Sequence, residues 1–246
     1  MQLSADELAR YQRQMMIPGW GDRTQQVLKE STVFVAGVGG LGSSVAVYLA
    51  VAGIGRLVVC DFDRVERSNL NRQILHETRN IGVSKIASAR EMLARLNPDV
   101  EVVTLEERIT QDNAGELVGR SQLIVDCMDN FETRYVLNDT AIHKGIPLVH
   151  GSVYGLEGRL SFVYVPHTPC LRCIFPAAPP RETFPVLGAT PGVIGAMQAL
   201  EVVKYFAKVG NNLKGRLLTW DGGSMTFQSF RTQRDLNCPS CAALPR

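Results

Sequence analysis

Apolar residues along the chain fall into short unbroken runs, separated by stretches with helical spacing. Thr32 to Ala36, Arg56 to Asp61, Val100 to Leu105, Gln122 to Cys127 and Ile146 to Val149 read as five strands. Runs without polar interruption predict strands covered on both faces. Between them, helices are expected from Leu41 to Ala52, from Val83 to Leu96 (stopping before Asn97-Pro98) and from Glu132 to Lys144. A short amphipathic helix over residues 4–15 precedes the first strand and is broken by Ile17-Pro18-Gly19. Strands alternating with helices, joined by right-handed crossovers, predict an α/β fold with a doubly wound, mostly parallel, Rossmann-like sheet. After Gly151 the period changes to two. Arg159 to Val165, Arg216 to Trp220 and Thr226 to Phe230 predict an antiparallel extension of the same sheet. A proline-rich loop, Pro176 to Pro191, and one long apolar helix, Val193 to Val209, lie between them. No repeat, low-complexity tract or linker interrupts the pattern, so residues 1–246 are expected to form a single domain.

Composition narrows the classes. The 246 residues are 45% hydrophobic and 20% charged, an ordinary globular balance. The net charge is +2 with both signs interspersed, which provides no broad field for nucleic acid or anionic lipid. Val33 to Gly55 carries no charged residue. Its glycines and Ser43-Ser44 make a strand, a tight turn and a buried helix a better reading than a membrane span. The polar N-terminus lacks the apolar core of a signal peptide, so a cytoplasmic protein is expected.

Candidate chemistry begins at Gly37-Val38-Gly39-Gly40-Leu41-Gly42, a GxGxxG turn between a strand and a helix. Glycines let the backbone approach a phosphate, and the helix N-terminus adds unpaired N–H donors. Asp61 closes the second strand, where an acid can bind ribose hydroxyls. Taken alone, these features fit an NAD-dependent oxidoreductase equally well, or a turn that serves only packing. The following segment, Arg67-Ser68-Asn69-Leu70-Asn71-Arg72-Gln73, is unlike a dehydrogenase. With Lys85 at the start of the next helix, its cations suit a triphosphate whose charge shifts during reaction. Asp129, in Asp126-Cys127-Met128-Asp129-Asn130, is placed either to hold Mg²⁺ or to cap the following helix.

Four of the six cysteines form two CxxC pairs, Cys170/Cys173 and Cys238/Cys241. Four thiolates match a closed tetrahedral Zn²⁺ site, and the long separation of the pairs would tie the C-terminal segment back to the body. Cys60 and Cys127, at apolar strand ends, read as packing residues. His76, His143, His150 and His167 show no ligand or triad spacing.

Together these motifs resemble the MoeB/ThiF/HesA family, bacterial relatives of ubiquitin-activating enzymes. Arg10-Tyr11-Gln12-Arg13-Gln14, Asp61-Phe62-Asp63 and Gly195 to Glu201 extend the resemblance over nearly the whole chain. It implies adenylylation, with ATP and Mg²⁺, of the C-terminal glycine of a ubiquitin-like sulfur-carrier protein ending in Gly-Gly, in molybdopterin or thiazole (thiamine) sulfur transfer. It further implies that Arg72 and Lys85 supply positive charge, and that Arg13 reaches in from the partner subunit of a homodimer. Asp129 with Asn130 beside it would hold Mg²⁺. Gly37, Gly39, Gly40, Asp61, Ser68, Asn69, Leu70 and Asn71 would line the nucleotide pocket with Arg72. In the family the four CxxC cysteines bind a structural zinc. Several relatives also carry a cysteine in the loop before the long helix; here Ala177 to Pro185 contains none. Adenylylation without a loop thioester, and a separate sulfur donor, are therefore expected. A non-catalytic, zinc-stapled scaffold for a ubiquitin-fold partner is the remaining alternative.

Overall fold

A computed structural model describes residues 2–178 and 184–244. The strands are β1 (Thr32–Ala36), β2 (Arg56–Cys60), β3 (Glu101–Leu105), β4 (Leu123–Asp126), β5 (Leu148–Tyr154), β6 (Glu157–Val163), β7 (Arg216–Asp221) and β8 (Thr226–Arg231). The helices are α1 (Ala5–Met15), α2 (Gly21–Glu30), α3 (Gly40–Ala52), α4 (Lys85–Leu96), α5 (Ala114–Val118), α6 (Phe131–Lys144), α7 (Leu171–Ile174) and α8 (Ala189–Ala207). All eight strands join one sheet in the order β3-β2-β1-β4-β5-β6-β7-β8. Strands β1 to β5 pair in parallel, and β5 to β8 continue antiparallel. The sheet is thus the expected one, with its antiparallel extension.

The unbroken apolar runs have a direct cause. Val33 and Val35 on β1, Leu57 and Val59 on β2, and Leu123 and Val125 on β4 join a core with Leu49, Leu93 and Val202 from α3, α4 and α8. Their neighbours Phe34, Val58 and Ile124 join a second core with Leu137 and Ala141 of α6, Val118 of α5 and Leu171 of α7. Past their first residues, the positions of β1 and β2, and all of β4, are therefore buried on one face or the other, and each full burial of an apolar side chain contributes about 1.5–3 kcal/mol. The charge-free stretch is explained by β1 and α3: α3 packs on β1 and β2 and against α8, which lies beside it on β5 and β6. A Cβ at Gly195 of α8 would stand 2.6 Å from the Leu41 carbonyl, so the two helices approach at backbone contact. Among the described residues no helix is long and apolar enough to cross a membrane.

Several elements depart from the sequence reading, and the short helices α5 and α7 are absent from it. Helix α2 has no counterpart in it either, because the only two apolar side chains of GDRTQQVLKE, Val27 and Leu28, are adjacent and give no repeat at helical spacing. Strand β5 runs on to Tyr154 and turns into β6 at Glu157, whereas the sequence reading ended it at Val149 and placed only a change of period after Gly151. Gly151 marks close approach instead: a Cβ there would lie 2.4 Å from the Gln198 side chain. Helix α8 starts at Ala189, with Pro191 in its first turn, where no intrahelical donor is required.

Candidate active site

The strand order reverses between β1 and β4, and a cavity of about 730 Å³ opens at the carboxyl ends of β1, β2 and β4. This is where an open α/β sheet offers its ligand crevice. One wall is the glycine turn. Gly37 sits at φ +88°, open to a residue without a side chain, and a Cβ at Gly42 would fall 1.9 Å from the Gly37 carbonyl oxygen. The turn therefore folds back tightly on the first turn of α3. No side chain caps α3, whose N-cap is Gly39, so its first N–H groups remain available to an anion.

Asp61 fastens this wall to the next. One carboxylate oxygen accepts the Val38 N–H at 2.9 Å, and the other accepts the Asp63 N–H at 2.9 Å. Burial raises its pKa, with Lys85 and these two amides opposing the rise. Beneath the turn, buried His76 faces Ser88 Oγ at 3.0 Å and the Val38 carbonyl at 3.3 Å. Desolvation lowers its pKa to about 4, so the ring is neutral.

The cavity collects Gly37, Gly39, Gly40, Asp61, Arg72, Lys85, Asp129 and Asn130 from the sequence reading. Lys85 is buried, and its Nζ donates to Asp63 Oδ2 at 2.8 Å. Arg72 Nη1 donates to the Ser68 carbonyl and to Asn71 Oδ1. Ser68, Asn69, Leu70 and Asn71 do not line the cavity. They build the turn that presents Arg72: Asn69 Oδ1 accepts the Glu66 N–H at 3.1 Å, closing a short 3₁₀ turn. Arg13 is exposed on α1 and also stands away from the cavity. Its neighbour Gln14 bonds the Ala52 carbonyl at the far end of α3, a helix about 20 Å long.

The structure decides the ambiguity at the end of β4. Asn130, not Asp129, caps α6, its Oδ1 accepting the Thr133 N–H at 2.8 Å. Asp129 is left exposed in the cavity wall, touched by Asn130 Nδ2 at 3.2 Å. A carboxylate with open lone pairs beside an amide is a donor set that Mg²⁺ accepts when phosphates and water complete its octahedron.

Sequence reasoning missed Arg134, which lines the cavity from the first turn of α6. Its signal was present: four residues after the cap, a helical side chain points back toward the N-terminus. Behind it lies a buried polar group, Asp126, His150 and Gln198, also unforeseen. Cys60 and Cys127 line the cavity floor, yet burial pushes the Cys60 thiol to about 12 and Cys127 well above the ordinary thiol range. Burial thus favours the protonated thiol over the thiolate at both positions.

Away from the cavity the two CxxC pairs meet. Sγ of Cys170 lies 3.7 Å from Cys173 and 3.5 Å from Cys238, and Cys173 lies 3.5 Å from Cys241. All four sulfurs fall within 4.8 Å of one another. Tetrahedral Zn²⁺ with bonds of about 2.3 Å separates its sulfurs by about 3.8 Å, so the cluster fits zinc. Of the cysteine-free loop, residues 179–183 lie outside the described residues. Past it, Phe184 and Val186 roof the cavity, and Val186 bridges to Gly155.

Comparison with known proteins agrees with this architecture. The ThiF family matches residues 11–240. The SAMP-activating enzyme E1 of Haloferax volcanii is 44% identical over 98% of this chain and 91% of its own length. The adenylyltransferase and sulfurtransferase MOCS3 of Drosophila sechellia is 43% identical over 99% of this chain; the chain spans 55% of that protein. Among solved structures, Escherichia coli MccB superposes with a TM-score of 0.88 at 22% identity, covering 98% of this chain and 74% of MccB, a likeness of fold.

Proposed function

The chain belongs to the ThiF family, and from that premise we propose that it activates a ubiquitin-fold sulfur-carrier protein by adenylylating its C-terminal glycine. It is an enzyme of the adenylyltransferase kind, as its named relatives are. In the proposed reaction a carboxylate oxygen of the carrier attacks the α-phosphorus of ATP. The bond to the bridging oxygen breaks, pyrophosphate leaves, and an acyl-adenylate remains.

The task is electrostatic: two anions must meet while charge builds at phosphorus. The amides of Gly37 to Gly40 and the start of α3 cradle phosphate oxygens, and Asp61 accepts ribose hydroxyls with the lone pairs its amide bonds leave open. Lys85, already paired with Asp63, and Arg72, anchored on Ser68 and Asn71, face the phosphates with little reorganisation. Asp129, with Asn130 beside it, would hold Mg²⁺, which neutralises phosphate charge when bound. Arg13 lies too far from its own cavity to act there, which supports its acting across a homodimer, in the partner subunit's cavity.

The cysteines support release of the adenylate to a separate sulfur donor, without a thioester. The loop over residues 177–185 holds none, Cys60 and Cys127 are buried with raised pKa values, and the other four form the metal cluster. An NAD-dependent oxidoreductase would leave Arg72, Lys85 and Asp129 without work, and a scaffold would not need them.

The observation that carries this reading is the convergence of the glycine turn, Asp61, Arg72, Lys85 and Asp129 on one cavity. Its test is ATP–pyrophosphate exchange with a ubiquitin-fold carrier. Exchange should require the carrier and disappear when its final Gly-Gly is removed; exchange indifferent to the carrier's C-terminus would overturn it.

A further inference from the structure

The buried group behind the cavity has no part in the reaction as described. Asp126, at the end of β4, is completely buried and acts as a hub. Its Oδ1 accepts the Met128 N–H at 3.1 Å, and its Oδ2 faces His150 Nδ1 at 2.7 Å and Arg134 Nε at 3.7 Å. Its main-chain carbonyl accepts Gln198 Nε2 at 2.8 Å. Arg134 in turn donates from Nη2 to the Met128 carbonyl at 2.6 Å and reaches the Gly151 carbonyl at 3.4 Å.

Met128 is thereby held from both sides, its N–H by Asp126 and its carbonyl by Arg134. The next residue is Asp129, and the one after it caps α6. The backbone of the short segment from β4 to α6 thus has little freedom, although Asp129 itself is exposed. His150, wholly buried on β5, donates Nδ1–H to Asp126 and keeps its carboxylate aligned; its Nε2 meets no partner. A buried carboxylate, imidazole and guanidinium gathered at one point call for a reason beyond packing, since burying polar groups opposes folding.

We infer that Asp126, supported by His150 and acting with Arg134, is a positioning residue that aims the Asp129 carboxylate at the metal accompanying the nucleotide. The inference rests on the proposed role of Asp129. Groups that orient a metal ligand without touching the metal change metal affinity by about 10- to 100-fold when removed.

The test measures ATP affinity of the full chain by titration calorimetry, with and without Mg²⁺, beside the thermal unfolding midpoint. Asp126→Asn keeps an acceptor for the Met128 N–H but loses the charge opposite Arg134. Arg134→Lys keeps that charge but gives up the fork that reaches Met128, and it guards against an Asp126→Asn chain that does not fold. In both, the tightening of ATP binding by Mg²⁺ should shrink by about 10-fold, while metal-free ATP affinity stays within about twofold of the parent.

Asp129→Asn separates the two levels of the argument. If Asp129→Asn removes the Mg²⁺ effect and the folded positioning variants leave it intact, the positioning role is overturned and the role of Asp129 stands. If Asp129→Asn leaves the Mg²⁺ effect intact, the underlying reading falls. An Arg134→Lys chain that loses metal-free ATP affinity as much as Mg²⁺-supported affinity would mean that Arg134 contacts the nucleotide directly, overturning its assigned part.

Discussion

The cavity and the four-thiol cluster are both assembled from distant parts of the chain, yet they are built on opposite terms. At the cavity, charged side chains are held by protein partners on one side and left open on the other: Lys85 by Asp63, Arg72 by Ser68 and Asn71, Asp129 by Asn130. At the cluster, four sulfurs, three of them on buried residues, face one another within 4.8 Å and leave no position for a substrate. An open, half-satisfied site holds its charges ready for a ligand, whereas a closed set of thiolates contributes to folding through metal. Changes at the first should remove activity without unfolding the chain, and changes at the second should do the reverse.

The largest expected effect tests the first half of that contrast. Asp129→Ala should lower carrier-dependent ATP–pyrophosphate exchange by about 10²-fold or more, because a charge is removed where it would matter in the transition state. Its unfolding midpoint should stay at the parent value, since Asp129 is exposed and does not cap α6. Near-normal exchange would refute its assigned role.

Next in size is the metal. Freshly purified, chelator-free protein should contain close to one equivalent of zinc, and less than about half an equivalent would count against the site. Cys238→Ser should lower the unfolding midpoint by about 10 °C, equivalent to about 3–4 kcal/mol for a chain of this length. An unchanged midpoint in a metal-free variant would erase the proposed difference between the two regions.

A smaller effect lies in pH. His76, neutral in the fold, takes up a proton more readily once unfolded, because its pKa in the fold is lowered to about 4 from an ordinary value near 6.5. The unfolded chain therefore binds more protons between pH 6.5 and 4, and stability falls as pH drops through that window. The loss is on the order of 3 kcal/mol at its limit. Urea unfolding at pH 7 and pH 4.5 should show it, and His76→Gln should flatten the slope. The same acid dependence in His76→Gln would assign the effect elsewhere.

The smallest joins the two kinds of behaviour in one residue. Asn130→Ala should cost about 1 kcal/mol of stability through loss of the cap of α6, and exchange should fall far less than in Asp129→Ala. Denaturant titration and exchange on the same preparation would separate the contributions.

Much of this was legible before any coordinates. The inner parallel strands announced themselves because both of their faces are buried, so nearly every inward position had to be apolar. The glycine turn, Asp61, Arg72, Lys85 and Asp129, which the fold gathers at one cavity, were picked out in the sequence by residue types that suit a phosphate ligand at strand ends. The two CxxC pairs were legible because thiolate ligands come in that spacing. Helix α2 was hidden, since its only two apolar side chains, Val27 and Leu28, are adjacent and set up no repeat at helical spacing. The run of β5 past Val149 was hidden because Gly151 interrupts the apolar pattern, and the cause of its small size, the Gln198 side chain, sits on α8 far along the chain.

What the amino-acid order alone determined is therefore local and repetitive: strand and helix patterns, turn chemistry, and residue types suited to phosphate or metal. Tertiary structure alone decided which groups meet. It set Asn130 rather than Asp129 on the helix cap, moved Ser68 to Asn71 from the cavity wall to the turn behind Arg72, and brought Asp126, Arg134 and His150 together beneath the site. The physical reason is that hydrogen bonds and ion pairs depend on a few ångströms across elements distant in the chain. Periodicity reports only the face a residue turns, and carries no information on what waits there.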